Sequence, residues 1–155
     1  MGALDGKVAI VTGAGRGLGR AHSLTMAAEG ATVVVNDLGD EAEAVVAEIE
    51  AAGGQALANH ASVSDWEATE ALVADTVERF GDLHIVVNNA GILRDKMSFN
   101  MDESDWDAVV DVHLKGHFCV SRHAGVYWRN QAKAGATVGR RIINTSSEAG
   151  LFGSA

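Results

Sequence analysis

Residues 8–19 read VAIVTGAGRGLG and decide the fold. The first part, 8–12, is an apolar and β-branched run, which predicts a buried strand. Four glycines then fall within seven positions and predict a tight loop. The run over 18–29 has a helical pattern and is followed by Gly30, a residue typical of helix C-termini. The stretch therefore predicts one strand–loop–helix unit.

The same unit recurs along the chain. Further strands are predicted over 31–35, 55–60, 83–87 and 141–144. Further helices are predicted over 40–52, from a Ser64 cap to Gly81, and over 104–128 with core contacts at Val109, Val112, Leu114 and Phe118. This alternation predicts the α/β class, a doubly wound parallel sheet with helices on both faces. We expect one domain over residues 1–155, incomplete at its C-terminal end and truncated after the fifth strand, which leaves a sheet edge unpaired.

The composition excludes several classes of protein. Lys and Arg number 12 against 21 Asp and Glu, and the formal charge of −9 disfavours nucleic acid and anionic membranes as partners. The single cysteine excludes a disulfide scaffold or a cysteine-built zinc site and indicates a reducing compartment. No targeting or membrane-spanning segment is visible, so we expect a cytoplasmic protein.

Two histidines on the predicted long helix need a separate interpretation. His113 and His117 are four residues apart and could share one face as metal ligands. Neither a His-Glu-x-x-His pattern nor an evident third ligand accompanies them, so we predict no metal site. Solvated or helix-packing histidines are the better interpretation.

The glycine loop favours an anion at the start of the first helix. Glycines let a pyrophosphate approach the free N–H groups of that helix, although the literal G-x-G-x-x-G pattern fails here. Asp37 ends the second strand 20 residues after Gly17, where a carboxylate would accept hydrogen bonds from an adenosine ribose. The alternative is a plain βα turn with Asp37 as a surface residue. Asp37 repels a 2′-phosphate and favours NAD over NADP, whereas Arg16 could pair with that phosphate.

Three motifs together resemble a known family. They are Thr12-Gly13-x3-Gly17-x-Gly19, Asn88-Asn89-Ala90-Gly91 and Ile142-Ile143-Asn144-Thr145-Ser146-Ser147. In order and spacing they are similar to the motifs of the classical short-chain dehydrogenase/reductase family, and the resemblance covers the whole chain. Within it, the segments 36–39 and 89–95 resemble the (3R)-hydroxyacyl-CoA dehydrogenase domain of peroxisomal multifunctional enzymes, with 3-oxoacyl-carrier-protein reductases close behind.

The resemblance implies a Rossmann-type fold and a role for each motif residue. The implied cofactor contacts are Gly13, Arg16, Gly17, Leu18 and Gly19 at the pyrophosphate, Asp37 at the adenosine ribose, Ser62 and Val63 at the adenine, and Asn89, Ala90 and Gly91 along the fourth strand. Ser147 would be catalytic, because its hydroxyl would hydrogen-bond the substrate oxygen where charge develops.

The sequence departs from the family pattern at three places. Ser62 stands where the family usually has Asp beside the adenine. His113 stands where the family often has a relay Asn, and we expect it to hold the same catalytic relay. The family's Tyr-x-x-x-Lys pair, expected roughly a dozen residues beyond Ser147, is absent; Tyr127 is the only tyrosine and is followed four residues later by Gln131.

Two functional hypotheses arise from this resemblance. The first is the N-terminal portion of an NAD-dependent oxidoreductase that exchanges hydride between nicotinamide and a secondary alcohol or ketone, such as a 3-hydroxyacyl or 3-oxoacyl thioester. The complete enzyme would be a homo-oligomer, a dimer or tetramer. The second is a catalytically inactive nucleotide-binding fragment or degenerate homologue without the Tyr-x-x-x-Lys pair.

Overall fold

The computed structural model describes residues 2–152 and has a five-stranded parallel sheet with helices on both faces. The strands are β1 (Val8–Thr12), β2 (Thr32–Asn36), β3 (Gln55–Asn59), β4 (Ile85–Asn88) and β5 (Arg141–Asn144). The helices are α1 (Gly17–Ala28), α2 (Glu41–Ala51), α3 (Trp66–Phe80), α4 (Glu103–Val110), α5 (Gly116–Lys133) and α6 (Ala149–Phe152). A 3₁₀ turn, Ser98–Asn100, precedes α4, and a π-helical segment, Asp111–Lys115, joins α4 to α5. The predicted α/β class is confirmed.

The strand order is β3-β2-β1-β4-β5, and every neighbouring pair is parallel. Val11 of β1 is paired with Val35 of β2 on one side and Val87 of β4 on the other. Strands β2 and β3 thus follow on one side of β1, and the chain then crosses to the other side of β1, where β4 and β5 follow. This reversal leaves a crevice beyond the carboxyl ends of β1 and β4.

The two faces of the sheet are covered by different helices. Ala9 and Val11 of β1 point to one face and are buried with Val45 and Ile49 of α2. Ile10 points to the opposite face and belongs to a core that includes residues of α3 and α5. Because both faces are covered at the centre of the sheet, β1, β2 and β4 are largely continuous apolar runs, which is why their positions could be predicted from the sequence.

The start of α3 differs from the prediction by one residue. Asp65, and not Ser64, is the N-cap, since its side chain accepts a hydrogen bond from the Ala68 N–H at 2.8 Å. The predicted end is confirmed, because Gly81 adopts the left-handed conformation (φ 80°) that closes the helix.

The long helix differs more from its prediction. It extends to Lys133 and contains the π-helical segment, which inserts one residue and rotates the downstream part of the helix by about 100°. Leu114 and Phe118 were expected in the core, but they are 70% and 58% exposed. Val112 is half-buried and packs against the core, as predicted. The residues of α5 that are buried instead are Gly116, Cys119, Val120, His123 and Ala124.

Strand β5 forms one edge of the sheet in the part of the chain that the structure describes, and all four of its residues are exposed. Between residues 2 and 152, no helix combines the length and apolar character that crossing a membrane requires.

A cluster of polar side chains connects the residues just before β4 and β5 to α5 by hydrogen bonds. The Asp82 carboxylate accepts hydrogen bonds from the Tyr127 hydroxyl at 2.8 Å and from the Arg140 guanidinium, whose side chain is only 12% exposed. The Trp128 indole donates to the Leu83 carbonyl at 2.8 Å. Burial raises the pKa of Asp82, but the bonds from Arg140 and Tyr127 outweigh it, so the net pKa lies below its ordinary value.

Asp82→Ala is expected to destabilise the intact protein by about 2 kcal/mol, because it leaves Arg140 and the Tyr127 hydroxyl without their shared acceptor. The measurement is urea unfolding from neutral pH down to acid pH, with Asp75→Ala, an exposed acid of α3, as the control. The pKa of Asp82 is lower in the folded protein than in the unfolded chain. The Asp82 carboxylate therefore stabilises the fold fully above its pKa in the unfolded chain, and this contribution is lost as the pH falls through its pKa in the folded protein. A difference from the control that stays constant down to strongly acid pH would contradict this account.

Candidate functional site

A groove of about 510 Å³ lies at the crevice beyond the carboxyl ends of the strands. In open α/β sheets this switch point is where ligands bind. Most of the residues predicted for the cofactor line it, namely Gly13, Arg16, Asp37, Ser62, Val63, Asn89, Ala90 and Gly91. Gly17, Leu18 and Gly19 form the first turn of α1 at the same edge of the sheet.

The glycine loop passes close to the segment that follows β4. Gly13 has a φ of 59°, and a Cβ atom added there would lie 2.7 Å from the Cα of Ala90. Both observations require glycine at this position, because an L side chain would be strained and would overlap backbone. The loop can therefore reach the groove as bare backbone.

Helix α1 begins with its N–H groups available to a ligand. Arg16 occupies the N-cap in an extended conformation, and within residues 2–152 no side chain caps the helix and no acid lies in its first turn. Leu18 is 64% exposed, so its side chain does not cover the turn. Uncapped N–H groups and the positive end of the helix dipole favour an anion. This end of α1 therefore fits a pyrophosphate.

Asp37 is fixed beside the glycine loop in the same groove. Its Oδ2 accepts from the Gly15 N–H at 2.8 Å and its Oδ1 from the Gly39 N–H at 3.3 Å. Its own N–H donates to the Asn59 carbonyl at 3.0 Å. A carboxylate offers about four lone-pair sites, so capacity remains for two hydroxyl groups. The arrangement fits a ribose diol.

Ser62 and Val63 form the wall next to Asp37. The Ser62 hydroxyl lies 3.2 Å from that of Ser64, so it is already engaged within its own turn. Val63 is 8% exposed and packs against Gly116, where an added Cβ would lie 2.7 Å from its Cγ2. The wall is thus apolar with one hydroxyl, a surface that suits a flat ring.

A hydrogen-bond clasp joins the ends of β1 and β4. The Thr12 hydroxyl donates to the Val87 carbonyl at 3.3 Å and accepts from the N–H groups of Asn89 and Ala90, both at 3.0 Å. The Asn89 amide donates to the carbonyls of Thr12 at 3.0 Å and Gly13 at 3.1 Å. The clasp fixes the glycine loop against the fourth strand. Sequence reasoning missed this role of Thr12, although its place before the first glycine was a signal.

A second connection reaches β5. The Thr145 hydroxyl donates to the Asn89 Oδ1 at 3.2 Å, and the Asn88 amide donates to the Ser121 hydroxyl and to the Asn144 Oδ1, both at 2.8 Å. The buried Oδ1 of Asn88 accepts no hydrogen bond from the residues that the structure describes. The roles of Thr145 and Ser121 had no local signal in the sequence.

His113 lies in the π-helical segment and contacts the backbone beyond the fourth strand. Its Nε2 is 3.1 Å from the Ile92 nitrogen and 2.8 Å from the Ile92 oxygen, so it accepts or donates according to its tautomer. A Cβ on Gly91 would lie 2.6 Å from the imidazole. His113 therefore positions residues 91–92. Among residues 2–152, no three His, Cys, Asp or Glu side chains form a group that could hold a metal ion.

Ser147 lies three residues beyond β5, at the same edge of the sheet as the groove. It is exposed, and its Oγ accepts from the Ala149 N–H at 3.2 Å. No hydrogen bond joins it to His113, the other residue predicted to be catalytic, within the described range.

Tyr127 lies at the other end of the sheet. Its hydroxyl donates to Asp82, which precedes β4, whereas the groove lies beyond the carboxyl ends. Burial, and then the hydrogen bond to Asp82, raise the pKa of Tyr127. A proton donor at the groove would need the opposite placement and the opposite shift of the pKa.

Comparison with known proteins gives a consistent result. A family model described as short chain dehydrogenase matches residues 7–155. A Mycobacterium tuberculosis protein named hydroxyacyl-CoA dehydrogenase ChsB1 is 52% identical over 97% of this chain and 50% of its own length. The mouse peroxisomal multifunctional enzyme type 2 is 45% identical over 96% of this chain and 20% of its own.

A crystal structure of a short chain dehydrogenase from Mycobacterium avium superposes with a TM-score of 0.96 at 55% identity. The match covers 99% of this chain and 58% of that one. The chain thus spans about half the length of the M. tuberculosis protein, and at most 58% of any of these three proteins. Since the family model covers nearly all of its residues, the chain belongs to the short-chain dehydrogenase family.

Proposed function

We propose that the protein carrying this chain is an NAD-dependent oxidoreductase that interconverts a secondary alcohol and a ketone on a 3-hydroxyacyl or 3-oxoacyl thioester. Family membership implies a nicotinamide cofactor, NAD or NADP. The observation that carries the proposal is one groove that brings Asp37 together with the glycine loop before the uncapped N-terminus of α1. The thioester is supported by relatives named hydroxyacyl-CoA dehydrogenase and 3-oxoacyl-[acyl-carrier-protein] reductase.

Each part of the groove has a proposed role. Gly13 and the α1 N-terminus, Arg16 to Gly19, bind the pyrophosphate; Asp37 binds the ribose; Ser62 and Val63 contact the adenine; Asn89 to Gly91 line the remaining length. When bound, the nicotinamide supplies or accepts the hydride. Ser147 orients the reacting oxygen, and His113 keeps the 91–92 backbone in place. The proton donor is proposed to be the family tyrosine beyond Ser147. The complete enzyme is proposed to be a homo-oligomer.

The preference for NAD gives a direct test. NADH is expected to bind the intact protein more tightly than NADPH. Asp37→Asn removes the charge and half of the acceptor capacity of this side chain. It is expected to weaken NADH binding about tenfold and to narrow the difference between the Kd values of NADH and NADPH. Both Kd values are measured by fluorescence titration. Glu50→Gln, an exposed acid in the last turn of α2, removes the same charge away from the groove and is expected to change neither.

Turnover is then followed as NADH oxidation with a 3-oxoacyl-CoA or the corresponding acyl-carrier-protein thioester. Reduction of either one supports the proposed activity, and the faster of the two identifies the carrier. Tighter binding of NADPH than of NADH would overturn the NAD assignment. Cofactor binding without reduction of either thioester would favour the inactive alternative.

A further inference from the structure

His60 joins three elements at the ribose end of the groove. It directly follows β3, and its ring lies between the loop after β2 and the first turn of α2. Nδ1 is 2.9 Å from the backbone oxygen of Asp37, and Nε2 is 2.7 Å from Oε1 of Glu43. The ring therefore contacts the peptide of the residue whose side chain is proposed to bind the ribose.

Both contacts together require the protonated ring. A backbone carbonyl and a carboxylate are acceptors only, so each ring nitrogen has to donate. A neutral imidazole carries one N–H and can make only one of the two bonds. The electrostatics agree, because the hydrogen bond to Glu43 and that to the Asp37 carbonyl raise the pKa of His60, and the charge of Asp40 acts in the same direction. The same bond to His60 lowers the pKa of Glu43.

The backbone of Asp37 is held on both sides of its Cα atom. Its N–H donates to the Asn59 carbonyl at 3.0 Å, and its oxygen accepts from His60. The Asp37 carboxylate in turn accepts from Gly15 in the glycine loop. The carbonyl that contacts His60 and the carboxylate proposed to bind the ribose thus belong to the same residue.

We infer that His60 is a positioning residue whose protonation sets the affinity of the groove for the cofactor. Protonated His60 ties the Asp37 loop to α2, and its deprotonation releases one of the two bonds and weakens NADH binding. This inference rests on the proposed nicotinamide-dependent function. Because the His60 side chain is 43% exposed, water replaces the lost bond, and we expect a change of about threefold.

Linkage between proton binding and cofactor binding fixes the direction in which NADH affinity changes with pH. The pKa of His60 is raised in the folded protein, so both bonds are present below it and one is lost as the pH rises through it. NADH affinity is therefore expected to fall over that interval. Reciprocally, bound NADH is expected to move the His60 titration midpoint upward by about 0.5 pH unit.

The test is a histidine NMR titration of the intact protein with and without saturating NADH. The sequence has six histidines, and the signal that disappears in His60→Gln is assigned to His60. The expected result is the upward move of that midpoint. The Kd of NADH, measured over the same pH range, should rise about threefold in the wild type and stay flat in His60→Gln and Glu43→Gln. Glu50→Gln, on the same helix, keeps the wild-type dependence.

Two results would overturn the inference while leaving the proposed function intact. One is an unchanged His60 midpoint in the presence of bound NADH. The other is a wild-type pH dependence of the Kd in His60→Gln. If the wild type binds NADH at no pH, the proposed function fails and the inference fails with it, which separates that result from the first two.

Discussion

Gly19→Ala is expected to raise the Kd of NADH about 100-fold in the intact protein, equivalent to about 2.7 kcal/mol. Gly19 is buried in the first turn of α1, and an added Cβ would overlap the Gly13 carbonyl and lie 2.6 Å from the Asn89 amide nitrogen. Because these atoms belong to the clasp between β1 and β4, the helix has to move away from the loop. The N–H groups proposed to bind the pyrophosphate move with it.

The matched control is Gly125→Ala. Gly125 is a helical glycine of α5, and an added Cβ there meets nothing within 4 Å among the described residues. Alanine at this position is expected to stabilise the helix by about 0.5–1 kcal/mol and to leave the Kd unchanged. Circular dichroism and thermal melts establish that both variants are folded at the temperature of the titration. A folded Gly19→Ala protein with wild-type affinity would remove the first turn of α1 from the proposed site.

The strands and most helix limits could be predicted because their signals are local. A buried parallel strand is a continuous apolar run, and α1, α2 and α3 are each followed by a glycine within two residues. The π-helical segment has no such signal. It shifts the helical period, so positions such as Leu114 and Phe118 were assigned to the wrong face.

The residues of the candidate site also fall into those with a local signal in the sequence and those without one. Gly13 and Asp37 could be proposed from motif and spacing, and the structure places both at one groove. The bonds from Thr145 to Asn89 and from His60 to Asp37 join residues more than twenty positions apart in sequence. They depend on the strand order β3-β2-β1-β4-β5, and one sequence does not specify which side chains that order brings together.

Ser147→Ala is expected to lower kcat for 3-oxoacyl thioester reduction by about 10²–10³-fold in the intact protein. The Ser147 hydroxyl is exposed at the carboxyl edge of the sheet, and its hydrogen is free to be donated because Oγ accepts from the Ala149 N–H. A donor aimed at the substrate oxygen acts most strongly where negative charge develops, so its loss raises the barrier more than it weakens binding. Ser147 does not line the cofactor groove, and the Kd of NADH is expected to stay unchanged.

Ser146→Ala provides the control for this prediction, since it removes a hydroxyl of the same size from the neighbouring exposed position. It is expected to retain kcat within about threefold, because only one of two adjacent side chains can face the same oxygen. Steady-state kinetics with NADH and a 3-oxoacyl-CoA measure kcat for both variants. Equal losses in the two would indicate a disturbed loop after β5 and not a lost donor. A large loss confined to Ser146→Ala would move the oxygen-binding role one residue toward β5, beside the Thr145 hydroxyl that already contacts Asn89.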